Sequence, residues 1–359
     1  MKAAVCYEFD KPLVIEDLTI DAPPQAGEVH VKIAATGICH SDLHAIAGEW
    51  GGTVPFVAGH ESAGVVLNVG AGVTQYKAGD RVLVTLMRQC GKCFYCMQGY
   101  PQRCETIFRL DREPYLRNKD GVAVRQAIRT GSFAEETIVH ESQILHLPDD
   151  LPFDVAALLA CGVITGAGAV LNTAQIKAGS NVVVIGTGGV GLNAVQAARV
   201  AGAYPIIAVD LLDNKLETAH QFGATHSVNP KTQDPIAFVK NLTAGRGADY
   251  VFVTVGNAKA SEMAFAMLRP RGVQVVVGIP ETGATAALPV GPIVQERTIT
   301  GSSMGSTRLG VDVPRLINLY RNKQLLLDEL ITARYPLAQI NEAIAHTNSG
   351  NALRNVIVF

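Results

Sequence analysis

The 359-residue chain has no run approaching the roughly eighteen apolar residues that a membrane-spanning helix needs. It has no excess of either charge. Its 30 Lys and Arg stand against 32 Asp and Glu, and a net of -2 leaves no basic face for nucleic acid or an anionic membrane. Charged residues make up only 17% and hydrophobic ones 48%, which excludes a disordered chain and fits a globular protein with much buried sheet. Internal repeats and low-complexity segments are absent. The first residues, Met1 to Glu8, carry no apolar stretch followed by a cleavage site and read as a first strand. Seven cysteines, an odd number in a long chain of this kind, point to metal ligation rather than a disulfide framework and to a cytoplasmic address.

What is present falls into two regions, as expected once a chain exceeds the roughly 250–300 residues a single core supports. From Met1 to about Leu147, short strand signals alternate with Gly, Pro and Asp punctuation, as in Val29–Ile33, Ala63–Leu67 and Arg81–Val84. This pattern predicts a mostly antiparallel β region. Leu147-Pro148-Asp149-Asp150-Leu151-Pro152 signals entry to a helix, and the crossing between domains is expected near it. From Asn181 onward, apolar strands alternate with helices: Val182–Ile185, a helix to about Ala201, Ile206–Asp210, a helix over Lys215–Phe222, and further units to Val277. Repeated βα units predict a doubly wound parallel sheet, so the fold class is α/β. A helix over Val313–Asn322 and a last strand over Asn355–Phe359 follow, and this tail is expected to return to the first domain.

Three motifs carry chemistry. Gly37-Ile38-Cys39-His40-Ser41-Asp42-Leu43-His44 crowds a thiol, a hydroxyl, a carboxylate and two imidazoles together. With Gly59-His60-Glu61 and Ala160-Cys161-Gly162 it offers a Cys₂His set, Cys39, His60 and Cys161. That set leaves one zinc position open, as catalytic zinc sites do. The second motif, Cys90-x₂-Cys93-x₂-Cys96-x₇-Cys104, suits a closed Cys₄ zinc of structural type; an iron–sulfur cluster also takes four thiolates, but zinc is favoured beside the other motifs. The third, Gly186-Thr187-Gly188-Gly189-Val190-Gly191, follows a strand and opens a helix, with Asp210 at the end of the next strand. This is the context a dinucleotide-binding turn requires. Asp210 can accept hydrogen bonds from an adenosine ribose, and Leu211-Leu212 offers no Arg for a 2′-phosphate, so NAD is expected over NADP, with Lys215 as a further ribose contact.

Taken in order, these motifs resemble the zinc-dependent alcohol dehydrogenases of the medium-chain dehydrogenase/reductase family, over essentially the whole chain. The resemblance implies a GroES-like β-rich catalytic domain over residues 1–153 with both zinc sites. It implies a Rossmann NAD-binding domain over 154–297 and a segment, 298–359, that completes the first domain. It implies NAD and two zinc ions per chain, a homodimer or homotetramer, and a reaction that interconverts an alcohol and an aldehyde or ketone. By matching positions, Glu61 resembles a carboxylate that can approach the catalytic metal, and Asp42 resembles the partner orienting His60. Ser41 and His44 match a proton relay. His40 stands where a basic residue nears the pyrophosphate, and Arg354 resembles a second pyrophosphate contact. Thr165, Val277 and Ile279 match positions lining the nicotinamide.

Trp50, Leu86 and Ser303, with Ile279, match substrate-cleft positions, and a pocket of Trp and Leu favours a medium-sized apolar or aromatic alcohol. Trp50 stands where the branch that oxidises glutathione-bound formaldehyde usually carries an acidic residue, which lowers that alternative without removing it. A non-catalytic NAD-binding member would have lost a zinc ligand or the relay, and neither is missing. The arginine-rich stretch Arg109–Arg129 reads as a solvated loop; the sharper alternative is that one of its arginines meets an acidic substrate group.

Overall fold

The computed structural model describes residues 1–359. They form two compact units. One comprises Met1–Cys161 with Leu327–Phe359, and the other comprises Gly162–Leu326.

The first unit is built on strand Glu28–Gly37. Its alternate residues Val29, Val31, Ile33 and Ala35 are buried while Lys32 is exposed, the period-2 pattern of a strand with one face in a core. Its sheet runs, edge to edge, Ile144–His146, Arg81–Thr85, Glu61–Val69, Glu28–Gly37, Arg354–Val358 and Ile331–Pro336, with Glu136–His140 also paired to the central strand. Register decides what this sheet does. Gly37 pairs with Glu61, Glu61 with Thr85, and Val356 with Gly37. One end of the sheet therefore collects the residues just past Gly37, just before Glu61, just past Thr85 and just before Val356. A second sheet orders Val14–Asp17, Lys2–Cys6, Phe56–Val57, Ala123–Gln126, Leu116–Arg117 and Thr19–Ile20, over a core that includes Val5, Cys6, Phe56, Phe133 and Ile138.

The second unit carries a six-stranded sheet in the order His226–Val228, Ile206–Val209, Val182–Ile185, Ala248–Val253, Leu268–Val276 and Thr298–Gly301, every pairing parallel. Val182–Ile185 is buried at every position, as a strand covered on both faces must be. Successive strands leave it in opposite directions, so its carboxyl end is the switch point at which such sheets hold ligands.

The crossings lie later in the chain than the expected ones after residues 153 and 297. Helix Phe153–Leu158 buries Val155, Ala156, Ala157 and Leu158 within the first unit. At the other end, Thr298–Gly301 pairs with Leu268–Val276 as the sixth parallel strand, and helix Leu309–Arg321 stays with that unit. The stretch Arg109–Arg129 is not a free loop. It contains a helical turn, Arg109–Arg112, and the paired strands Leu116–Arg117 and Ala123–Gln126; Arg109 is bound to Glu28 and Arg117 to Asp21. No helix is long and apolar enough to cross a membrane.

Candidate active site

The end of the first unit's central sheet assembles the thiols and imidazole. Cys39 is the residue before helix His40–Ala47, and His60 precedes strand Glu61–Val69. Cys161 lies in the turn between helices Phe153–Leu158 and Gly162–Gly168. That turn is tied to the sheet by Thr85, whose hydroxyl donates to Ala160 O at 2.6 Å. Gly59 sets the approach of His60. Its φ is +94°, and a Cβ there would lie 2.6 Å from the Phe133 ring, so only glycine fits.

One carboxylate joins the segments that carry Cys39 and His60. Asp42 is fully buried. Its Oδ2 accepts the backbone N–H of Cys39 at 3.1 Å, and its Oδ1 accepts the N–H of Gly59 at 2.9 Å and His60 Nδ1 at 2.8 Å. An ionised carboxylate only accepts, so Nδ1 carries the hydrogen and Nε2 is turned the other way. Nε2 is buried without any hydrogen-bond partner. A sulfur of Cys39, a ring nitrogen of His60, a carboxylate oxygen of Glu61 and the sulfur of Cys161 all lie within 4.8 Å of one another, and all four residues are buried. A buried, orphaned imidazole nitrogen among two thiols is costly unless something occupies the space between them. This donor set fits zinc, with Glu61 at the rim.

Charge within the cluster is shared. The hydrogen bond with Cys161 draws the Cys39 thiol well below its ordinary value, outweighing burial, with His60 and Arg354 helping. Burial works to lower His60, but the charge and hydrogen bond of Asp42 carry it well above its ordinary value. Burial pushes the Glu61 carboxyl up to about 7, against the opposing pull of Arg354. Arg354, expected near the pyrophosphate, is buried, with Nη2 3.5 Å from Glu61 Oε1 and Nη1 donating to Ile38 O at 3.4 Å, so charge is brought up to Glu61.

Ser41 and His44 lie on the helix that Cys39 opens; both are half-buried, and His40, also on it, is exposed. Trp50 places its ring 5.4 Å from that of His44. Leu86 follows Thr85 at the same end of the sheet as the cluster and is half-buried. Glu49, which sequence reasoning did not single out, sits 2.5 Å from His44 Nδ1. The only signal for it was position, just past the glycine that ends the helix.

Cys6 is buried in the core of the first unit, while Cys90, Cys93, Cys96 and Cys104 gather in one lobe. Their sulfurs also lie within 4.8 Å of one another, and Cys93 and Cys104 are 3.8 Å apart, close to the edge of a zinc tetrahedron with bonds of about 2.3 Å. Cys90 Sγ accepts the backbone N–H groups of Lys92 at 3.4 Å and Cys93 at 3.2 Å. The Thr106 hydroxyl first, then these amides, lower its thiol to about 6.

In the second unit, Gly186 takes φ +88° at the end of strand Val182–Ile185, and helix Gly189–Val200 follows. A Cβ on Gly191 would lie 1.8 Å from Gly186 O, so the helix can begin there only on glycine. Gly188 is different. Nothing of the protein lies within 4 Å of where its Cβ would be, and its φ of -72° needs no glycine. A small residue at that place leaves room for a ligand to approach the helix N-terminus, so the turn fits a pyrophosphate. Val190 is half-buried in the first turn of that helix. Asp210 holds the turn in place: its Oδ2 accepts Thr187 N–H at 2.7 Å and the Thr187 hydroxyl at 3.0 Å. Lys215 is half-buried on the next helix. Among the remaining candidates in this unit, Thr165 is half-buried and donates to Met304 Sδ at 3.8 Å, Val277 is buried, and Ile279 and Ser303 are exposed.

Residues 25–149 match the alcohol dehydrogenase GroES-like domain, and residues 189–321 match the zinc-binding dehydrogenase family. The chain is 39% identical to an alcohol dehydrogenase class-3 of Drosophila melanogaster over 371 residues, which spans 100% of this chain and 97% of that one. Among solved structures it is similar to an alcohol dehydrogenase zinc-binding domain protein of Burkholderia ambifaria (TM-score 0.95, 35% identity, 100% of this chain and 98% of that one). It is also similar to a benzyl alcohol dehydrogenase of Acinetobacter calcoaceticus (TM-score 0.93, 33% identity, 100% and 99%).

Proposed function

We infer the function from family membership: the chain belongs to the zinc-dependent alcohol dehydrogenases of the medium-chain dehydrogenase/reductase family. It is an oxidoreductase that interconverts an alcohol and an aldehyde or ketone. We propose that Cys39, His60 and Cys161 hold the catalytic zinc, that Cys90, Cys93, Cys96 and Cys104 hold a second, and that the cofactor is NAD. The observation that carries the metal assignment is His60 Nε2, buried and unpartnered between two thiols while Asp42 fixes the opposite nitrogen.

When bound, the zinc supplies Lewis acidity toward an alcohol or carbonyl oxygen, and the dinucleotide supplies the hydride acceptor. The chain's own residues do the rest. Asp42 orients the His60 imidazole. Ser41 takes the alcohol's proton, and His44, which is partly exposed, hands it on to water. Glu61, whose carboxyl is raised to about 7 by burial against the pull of Arg354, lies within 4.8 Å of the three other candidate ligand atoms and would be able to approach a metal held there. In the second unit the Gly186–Gly191 turn takes the pyrophosphate. Asp210 accepts from the ribose hydroxyls, with Lys215 beside it. Thr165, Val277 and Ile279 line the nicotinamide.

For the substrate, Trp50 beside His44, with Leu86, supports an apolar or aromatic alcohol of medium size. A glutathione adduct is the competing reading. A panel of primary, secondary, benzylic and S-hydroxymethyl-glutathione alcohols, followed by NADH absorbance, tests the assignment. The highest kcat/KM is expected with a benzylic or long primary alcohol. A preference for the glutathione adduct would reverse the substrate reading, and equal or better efficiency with NADP would reverse the cofactor reading. The chain is further proposed to act in the cytoplasm as a homo-oligomer.

A further inference from the structure

Helix His40–Ala47 ends on Gly48, whose φ is +75°. The Gly48 N–H returns to Ala45 O at 3.1 Å, and the Glu49 N–H returns to His44 O at 3.1 Å. This left-handed close is a common way for helices to end, and here it folds the chain back over its last turn. Glu49 thereby lands beside His44, with Oε2 2.5 Å from Nδ1, and Trp50 comes next, its ring tilted 34° to the imidazole. The His44 ring is thus held at one nitrogen by a carboxylate and flanked by an indole. The carboxylate can only accept, so Nδ1 carries a hydrogen and, in the neutral ring, Nε2 is the free base.

We propose that Glu49 is a positioning residue for the proton relay: it fixes the His44 tautomer and ring orientation so that Nε2 is the atom that receives the proton. Asp42 makes the same kind of contact with His60, so this one short helix takes part in two imidazole–carboxylate pairs, each joined at Nδ1: it carries the carboxylate of one pair and the imidazole of the other. The two pairs differ in setting. Asp42 and His60 are fully buried, whereas the side chains of His44 and Glu49 are 34% and 45% exposed. The first setting suits a fixed ligand and the second suits a group that must exchange protons with water. Glu49 does not touch substrate in this role; it acts through His44. The inference rests on the assignment of His44 to the relay.

The test is a double-mutant cycle on the zinc-loaded enzyme. Glu49→Ala should lower kcat for alcohol oxidation on the order of ten-fold, a part of the 10²–10⁴ that a general base contributes. KM for NAD, zinc content and Tm should stay unchanged. Glu49→Gln, whose amide oxygen still accepts from Nδ1, should recover most of the rate. In a His44→Ala background, Glu49→Ala should have no further effect. Additive losses in the double variant, or a Glu49→Gln protein no better than Glu49→Ala, would overturn the proposal. If His44→Ala alone leaves kcat unchanged, it is the relay assignment that fails, and that result is distinguishable from a Glu49 that does nothing beside an active His44.

Discussion

Asp42 is one residue with three separate acceptances, and each holds a part of the proposed zinc site. Two of its bonds run to the segment Gly59-His60 and one to Cys39. Asparagine is nearly isosteric, but it offers one acceptor oxygen where the carboxylate offers two, and its NH₂ would face the N–H of Cys39 or the ring of His60. Asp42→Asn should therefore weaken zinc retention by roughly 10–100-fold, as loss of a partner behind a metal-bound histidine does elsewhere. Competition with a chromophoric chelator measures this; unchanged retention would mean that His60 needs no orienting group. Single residues were also where the sequence was most legible. Cys39, Cys161, His60, the tetrad and the glycine turn were all singled out from their motifs, and the structure brings the first three, and separately the four of the tetrad, within 4.8 Å of one another. Glu49 and the turn of Arg354 toward Glu61 were not, because each depends on where a side chain points once the helix has closed or the last strand has paired.

Elements show what each motif is for. The dinucleotide turn contains two glycines with opposite constraints. Gly191 is confined by the Gly186 carbonyl, and Gly188 faces no protein atom. Gly191→Ala should thus cost stability, because a Cβ 1.8 Å from backbone must push the helix off the strand. Gly188→Ala should leave stability within about 0.5 kcal/mol and instead raise KM for the dinucleotide. Thermal melts beside cofactor titrations separate the two; a Gly188→Ala protein with normal cofactor binding would remove the turn from the site. The tetrad lobe makes a complementary case. Its helix Phe94–Met97 buries no residue, and Phe94 and Met97 are 62% and 78% exposed. With no core of its own, the lobe depends, on the proposed assignment, on a zinc shared by its four sulfurs. Cys93→Ser should leave one zinc per chain instead of two and open the lobe to limited proteolysis, while the second unit's melting is unaffected. A Cys93→Ser protein that kept two zincs and resisted the protease would contradict the lobe's assignment. Element bounds were less legible than the elements: the strands read as Val29–Ile33 and Ala63–Leu67 extend over Glu28–Gly37 and Glu61–Val69, and helix His40–Ala47 was not read. Helix Leu309–Arg321 begins before the expected Val313, because Asp312 accepts the Arg308 N–H at 2.7 Å and starts the helix a turn ahead of Pro314.

At the scale of the whole molecule, the sequence announced two domains and both of their sheet types, antiparallel and parallel. It set the crossings earlier than the compact units divide, since the helix-entry signal at Leu147–Pro152 opens helix Phe153–Leu158, which stays with the first unit, and the divisions fall after Cys161 and Leu326. It also could not reveal that strand register, through the pairs Gly37–Glu61, Glu61–Thr85 and Val356–Gly37, is what gathers distant motifs at one sheet end. Hydrophobic alternation constrains which face a residue occupies but not how far two strands slide in steps of two. Cys39, His60 and Cys161 are far apart in sequence, and four strands and a helix turn are needed to make them neighbours. The account depends on a zinc held by these three side chains being required for turnover. The most direct measurement follows NADH formation while zinc is withdrawn in steps by a chelator, with metal content determined at each step. The rate should fall to zero as the first of two zincs per chain is lost, or as the second is, and return when zinc is restored. Undiminished turnover by protein from which all zinc has been removed would contradict it.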